Sequence, residues 1–207
     1  MNVLLINGSP RKKGCTFTAL SEIAGELEKQ GIATSIFHIG TKAIRGCIAC
    51  QKCKETGYCS YSGDPVNECI DLMKKADGII VGSPVYYASP NGALLALLDR
   101  VFYASSNAFA YKPATAIVSC RRSGSTSSFD VLNKYFTISN MPVVSSQYWN
   151  QVHGNTPEEV RQDLEGMQGL RTLGRNMAWL LKCIDATKET IPHPKPEPVR
   201  QRTNFIR

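Results

Sequence analysis

The sequence predicts an α/β protein: a five-stranded parallel sheet in the order 2-1-3-4-5, doubly wound with helices on both faces. Three observations lead there. Short apolar runs of strand length alternate with segments whose apolar residues recur every three or four positions, the pattern of a buried parallel sheet with crossover helices. The first run, NVLLING at residues 2–8, ends in glycine and leads through SPRKKGCT into a helix start. That arrangement belongs to the ligand-binding edge of open α/β sheets. At 207 residues the chain also has the length of one domain of moderate size.

Taken in order, the first run is continuous and short, as suits a strand buried on both faces. From Thr16 to about Gln30, Leu20, Ile23, Ala24 and Leu27 recur at helical spacing, and Gly31 ends the helix. TSIFHI (34–39) reads as the second strand. A cysteine-rich loop is inserted over 46–60, and its continuation runs to about Gly63. Asp64 to Lys75 reads as a helix with Val66, Ile70 and Met73 on one side. ADGIIVG (76–82) is the third strand and leads into SPVYYASPNG. The next helix, from Gly92 to about Tyr103, carries Leu94, Leu97, Leu98 and Val101 on one face. ATAIVS (114–119) is the fourth strand, followed by CRRSGSTSS and a helix through Thr137; PVVSS (142–146) is a weaker fifth strand.

One long last helix is expected to open at Thr156-Pro157-Glu158-Glu159, with an N-cap, a proline in the first turn and acidic residues near the positive end. Its apolar stripe runs from Val160 through Leu164, Met167, Leu170, Leu173, Met177 and Leu180 to Ile184, weakened by Gly166, Gly169 and Gly174. It relies on packing against the sheet or a partner. One domain is thus read over residues 1–185, followed by a proline-rich C-terminal arm over 186–207. Four prolines in seven residues rule out regular helix there. The arm is either disordered or laid across a neighbouring subunit.

Composition narrows the function. The hydrophobic content of 43% and charged content of 20% indicate a soluble globular protein. No run approaches the roughly 18 apolar residues of a membrane span. The opening MNVLLINGSPRKKG lacks a basic segment before its apolar run, so the chain is read as cytoplasmic. The net charge of +7 attracts anions without choosing among them. The lysines and arginines are dispersed beyond RKK (11–13) and Arg121-Arg122, and no base-reading helix or aromatic repeat is legible, so nucleic acid is not the expected partner.

In GSPRKKGCT the glycines permit a tight turn, and amides at the start of the following helix point at an anion. Ser9 and Thr16 supply hydroxyls and Arg11 a charged fork for phosphate. The run is neither the GxxxxGK[ST] of a P-loop nor the GxGxxG of a dinucleotide fold, so nucleoside triphosphate chemistry is not expected. The plain alternative is a βα turn with solvated charges. SPVYYASPNG follows the carboxyl end of a buried strand, where Tyr86 and Tyr87 can stack on a flat ring. The plain alternative there is a turn with two half-buried tyrosines.

Four of the eight cysteines fall within thirteen residues: Cys47, Cys50, Cys53 and Cys59, spaced C-x2-C-x2-C-x5-C. Thiolates are soft ligands for zinc, copper(I) or iron–sulfur clusters. The first three have the spacing with which ferredoxin loops wrap a cubane, and Cys59 closes the shell locally with Gly57 allowing the turn. Three readings stay open: a [4Fe–4S] cluster, a zinc site, and free thiols or a redox-active disulfide. Cys15, Cys69, Cys120 and Cys183 are scattered and read as small buried residues. His38 reads as a satisfied core residue, His153 lies in a loop and His193 in the tail. No Ser/His/Asp or Cys/His set and no paired carboxylates are legible.

NGSPRKKGCT followed by VGSPVYYASPNGALLALLDR resembles the NADPH-dependent FMN reductase family of flavodoxin-like proteins, and the cysteine run resembles its iron–sulfur flavoprotein branch. The resemblance covers roughly residues 1–185 and extends to the RTNFIR ending. It implies FMN, with phosphate contacts on Ser9, Arg11, Gly14, Cys15 and Thr16. Cys15 stands where the family usually has Asn, which preserves a backbone contact but not an amide one. Ring and ribityl contacts are implied on Pro84, Val85, Tyr86 and Tyr87, before a Ser89-Pro90-Asn91-Gly92 that adds a proline to the usual pattern. Ser119 to Gly124 matches a third flavin-facing loop less closely, because Arg121-Arg122 replaces glycines; Ser119, Arg121 and Gly124 are its candidate contacts. The two arginines are alternatively placed to meet an anionic substrate.

The expected function is that of an FMN-dependent oxidoreductase, a homodimer or homotetramer, relaying electrons between a [4Fe–4S] cluster and FMN for a small-molecule or protein donor and acceptor. Without a cluster, NAD(P)H reduces the flavin and a quinone or free flavin follows. Readings of another class are a non-enzymatic electron carrier and a zinc-stabilised binding protein. The cofactor carries such chemistry, so no catalytic side chain is expected.

Overall fold

The computed structural model describes residues 1–195 together with Gln201 and Thr203. Its centre is a parallel sheet. β1 (Asn2–Asn7) lies between β2 (Ala33–His38) and β3 (Gly78–Tyr86), with Leu5 opposite both Ile36 and Ile80. The two-residue β4 (Ser89–Pro90) folds back antiparallel on the end of β3. β5 (Ala114–Cys120) flanks β3 on the other side, and β6 (Gln151–His153) forms the edge. The order is β2-β1-β3-β5-β6, with β4 off the path. Setting the small hairpin aside, this is the expected 2-1-3-4-5.

Alternation along the strands assigns each face its core. Leu4, Ile6, Ile79, Val81, Ala116 and Val118 point to one side. There they pack against α3 (Val66–Lys75), α4 (Gly92–Ser105) and α5 (Ser125–Ile138), through Ile70, Leu97, Val101 and Phe136. Val3, Leu5, Ile80, Ile117 and Val152 point to the other. α1 (Cys15–Lys29) and α7 (Leu164–Thr187) cover that side with Leu20, Ile23, Leu170 and Met177. A strand buried on both faces favours apolar residues on both sides of the pleat, and β1, β3 and β5 are mostly apolar, with buried Asn7, Ser83, Thr115 and Ser119 as polar exceptions.

Two segments depart from expectation. The strand expected at 142–146 is reduced to a single parallel bridge between Val143 and Ala114, and pairing resumes only at β6. Buried Asn150 fills the interruption: its Nδ2 donates to Thr115 Oγ1 at 2.9 Å and to the Ala116 carbonyl at 3.1 Å. Thr115 Oγ1 in turn donates to the Val144 carbonyl at 2.8 Å, so side chains replace the missing ladder. The last helix is also two helices. α6 (Pro157–Gln162) is capped by Thr156, as expected, but ends at Asp163. The Asp163 carboxylate accepts from Gly166 N at 3.0 Å and from His153 N at 2.7 Å. A short polar side chain that bonds the next helix's amide favours a cap over helix interior.

α7 ends at Thr187, and the His193 ring then stacks on Tyr111 with centroids 4.4 Å apart. Residues 196–200, 202 and 204–207, which include most of the RTNFIR ending, lie outside the described residues. No helix among the described residues is long and apolar enough to cross a membrane.

Candidate functional site

Three loops meet at the carboxyl edge of the sheet, after β1, β3 and β5. Several contacts join them. Gly8 N donates to the Gly82 carbonyl at 2.8 Å, and Asn91 Nδ2 to the Gly8 carbonyl at 2.7 Å. Thr16 Oγ1 and Ser119 Oγ lie 2.8 Å apart, both buried. Backbone must approach closely here: a Cβ on Gly8 would stand 2.5 Å from Leu94 Cδ2 and 2.7 Å from the Gly82 carbonyl oxygen.

The first loop is shaped from within. The buried Asn7 side chain accepts from Ser9 N at 3.1 Å and donates to the Lys12 carbonyl, while Ser9 Oγ accepts from Arg11 N. His38 Nε2 lies 2.9 Å from the Ser9 carbonyl, so this histidine braces the loop instead of serving only the core. Gly14 precedes α1 in extended backbone and gives no side-chain cap. The amides of Cys15, Thr16 and Phe17 thus open α1 without an acceptor among the described residues. Arg11, Lys12 and Lys13 are exposed beside them. Free amides at a helix start beside three cations suit a phosphomonoester. The Thr16 hydroxyl is engaged with Ser119, which leaves its amide as the group that faces an anion. The Cys15 thiol contacts the Gly154 carbonyl at 3.7 Å, and burial pushes its pKa up.

The second loop is a hairpin. Tyr87 and Ala88 take φ of 50° and 58°, so two non-glycine residues occupy the left-handed region at its tip. Tyr86 is partly exposed and Tyr87 wholly so; Pro84 and Val85 are half-buried behind them. The hairpin rests on the start of α5. Ser127 Oγ donates to the Ala88 carbonyl at 2.7 Å, and a Cβ on Gly124, at φ 86°, would stand 2.6 Å from Ala88 Cα. In the third loop Ser119 and Cys120 are buried, and Arg121 and Arg122 are exposed. Among the described residues, none of Arg11, Lys12, Lys13, Arg121 and Arg122 takes part in an ion pair.

The cysteine run forms a second site. Cys47, Cys50, Cys53 and Cys59 line one cavity of about 210 Å³, with Ile48, Tyr61 and Tyr103 among its other walls. Positive φ at Ala49, Gln51 and Gly57 folds the loop around it, and the short α2 (Cys53–Thr56) supplies one turn of helix. Cys47 and Cys50 are exposed and Cys53 is buried. Burial, and then the neighbouring Cys50, Cys59 and Cys47, push the Cys53 thiol up, whereas the Ser60 hydroxyl, 3.5 Å from Cys50 Sγ, draws Cys50 down.

Arg100 on α4 reaches Cys59 Sγ with both Nε and Nη2, each at 3.2 Å. Burial opposes its charge, but hydrogen bonds to Asp64 and Cys59 hold it above the usual arginine value. Among the described residues, no three of His, Cys, Asp and Glu stand close enough to hold a single metal ion. Four thiols around a cavity, rather than converging on a point, suit a polynuclear group better than one ion.

Sequence reasoning missed Asn7, Asn91, Asp64 and Arg100. Arg100 lies at the rim of the Leu94, Leu97, Leu98 and Val101 stripe and its partners are remote along the chain, so no local signal marks it.

The chain is similar to known proteins over most of its length. Residues 1–156 match the family described as NADPH-dependent FMN reductase. An iron–sulfur flavoprotein of Methanocaldococcus jannaschii is 32% identical over 194 residues, covering 89% of this chain and 99% of that protein. One from Methanosarcina thermophila is 28% identical over 196 residues, covering 91% of this chain and 100% of that protein. Among solved structures, RosB with bound 8-demethyl-8-formylriboflavin-5'-phosphate superposes with a TM-score of 0.70 at 14% identity, covering 100% of this chain and 94% of RosB. An archaeal flavodoxin superposes at 0.58 and 15%, covering 88% and 99%. At such identities these likenesses establish the flavodoxin-like fold alone.

Proposed function

The chain belongs to the NADPH-dependent FMN reductase family, and from that premise we propose that it is an FMN-dependent oxidoreductase whose four clustered cysteines hold a [4Fe–4S] cluster. The flavin exchanges electrons singly or in pairs and a cluster exchanges them singly, so together they connect one-electron and two-electron partners. The chain's own residues do the holding. The amides of Cys15 and Thr16, with Arg11, bind the phosphate end. Pro84, Val85, Tyr86 and Tyr87 offer a wall for the ring, and the Gly124 and Ser127 contacts fix that wall in place.

The observation that carries the cluster is the shared cavity of Cys47, Cys50, Cys53 and Cys59. Relatives named iron–sulfur flavoproteins, matched nearly end to end, support it. The active protein is a homo-oligomer in which the relay crosses a subunit contact. Exposed Ile48 and Tyr103 beside the thiol cavity support such a contact. Anaerobic purification with ferrous iron and sulfide, followed by flavin and iron counts, tests the reading. The wild-type chain is expected to hold both, and Cys50→Ser to lose iron while keeping FMN. A wild-type chain that takes up flavin but no iron refutes the cluster.

One finding favours a second reading: the matched family is described as NADPH-dependent FMN reductase. In that case the protein is a cluster-free reductase. Steady oxidation of NAD(P)H with a quinone or flavin acceptor by iron-free protein is its signature.

A further inference from the structure

We propose that Arg100 is a positioning residue of the thiol site, gripping Cys59 Sγ through two guanidinium N–H groups and raising the reduction potential of the group that the four thiols hold. The inference rests on the cluster reading above and names a residue that this reading does not require.

Arg100 is placed where a charge is costly. It is buried on α4, so its retention needs partners that match every donor. They are present. Nη1 donates to the buried Asp64 carboxylate and to the Arg45 carbonyl at 3.1 Å, and Nη2 to the Tyr61 carbonyl at 3.0 Å. Nε and Nη2 both end on one sulfur. A neutral thiol is a weak acceptor and calls for no such pair, whereas a ligating thiolate does.

Cys59 is singled out among the four. Cys47 Sγ receives one backbone amide at 3.4 Å, Cys50 Sγ one hydroxyl at 3.5 Å, and Cys53 Sγ touches a carbonyl at 4.0 Å. The backbone of Cys59 is pinned as well. The Asn67 side chain accepts from its N–H and donates to its carbonyl, each at 2.9 Å. Donors on a ligating sulfur draw electron density from it and favour the reduced, more negative state. A fixed cation beside that sulfur acts in the same direction. Lysine cannot replace this function, because one ammonium on a flexible stem does not reproduce two parallel donors.

The test uses the full chain loaded anaerobically with ferrous iron, sulfide and FMN. Arg100→Lys is expected to keep iron at the wild-type ratio while the iron–sulfur midpoint potential moves to a more negative value. Wild-type protein carrying guanidino-15N arginine is expected to show a weak 15N coupling in the magnetic resonance spectrum of the reduced sample. An unmoved potential in an iron-replete Arg100→Lys protein overturns the inference. So does the lack of 15N coupling in the labelled wild type, which decides the matter even where the variant fails to fold. Failure of the wild-type chain to take up iron overturns the cluster reading and this inference together. Iron uptake without coupling overturns this inference alone.

Discussion

At Gly124 a single methyl group meets two obstacles. The backbone sits at φ 86°, where L-residues cost roughly 1–2 kcal/mol, and the new Cβ would stand 2.6 Å from the Ala88 Cα. Backbone cannot yield as a side-chain tip does, so the tyrosine hairpin must move. Gly124→Ala is expected to lower stability by more than about 1 kcal/mol in urea denaturation, and to weaken FMN by displacing Tyr86 and Tyr87. Arg11 is the opposite case. It is exposed, and among the described residues it forms no ion pair, so its removal leaves the fold alone. Arg11→Ala is expected to weaken FMN by about 1.5–3 kcal/mol, roughly ten- to hundredfold in Kd by flavin-fluorescence quenching. Thermal stability stays unchanged. The place of Arg11 beside the free amides of α1 was legible because glycines, hydroxyls and a cation stand together in GSPRKKGCT. Arg100 was not, because its partners Asp64 and Cys59 lie 36 and 41 positions away along the chain. Only the fold brings that set together.

Between elements, what decides the structure is where the backbone finds its partners. β1, β3 and β5 declared themselves because a doubly covered strand admits almost nothing but apolar residues. The edge did not. PVVSS has the β-branched character of a strand, yet the ladder is carried by Gln151–His153, since Asn150 and Thr115 satisfy the backbone across the gap with side chains. A one-sequence reading counts propensity and cannot see such a substitution. The α6–α7 break was hidden in the same way, because an uninterrupted apolar stripe runs through it. Asp163 holds that junction by capping α7 and bonding the first amide beyond Val152. Asp163→Ala removes both acceptors and is expected to cost about 1–3 kcal/mol, read as a lowered midpoint in urea at unchanged slope. Asp163→Asn, which keeps one acceptor, is expected to recover part of the loss.

Across the whole molecule, α4 connects the two sites. Its cap, Asn91, donates to the Gly8 carbonyl in the loop after β1 and accepts from Ala93 N at 3.2 Å. Nine residues further on, about 13 Å along the axis, Arg100 grips the cysteine loop. The two sites thus share one rigid rod but no side chain. This separation makes the sites separable by substitution at either end of the rod. Asn91→Ala removes a helix cap and the brace on Gly8, so it is expected to cost about 1 kcal/mol in stability and to weaken FMN. Because α4 is anchored independently by Leu94, Leu97, Leu98 and Val101 in the core, its far end keeps its place. Iron content and the iron–sulfur midpoint potential of Asn91→Ala are therefore expected to match the wild type. A shift in that potential on losing Asn91 would mean that α4 transmits strain from the loop after β1 to the thiols, and that the two sites act as one.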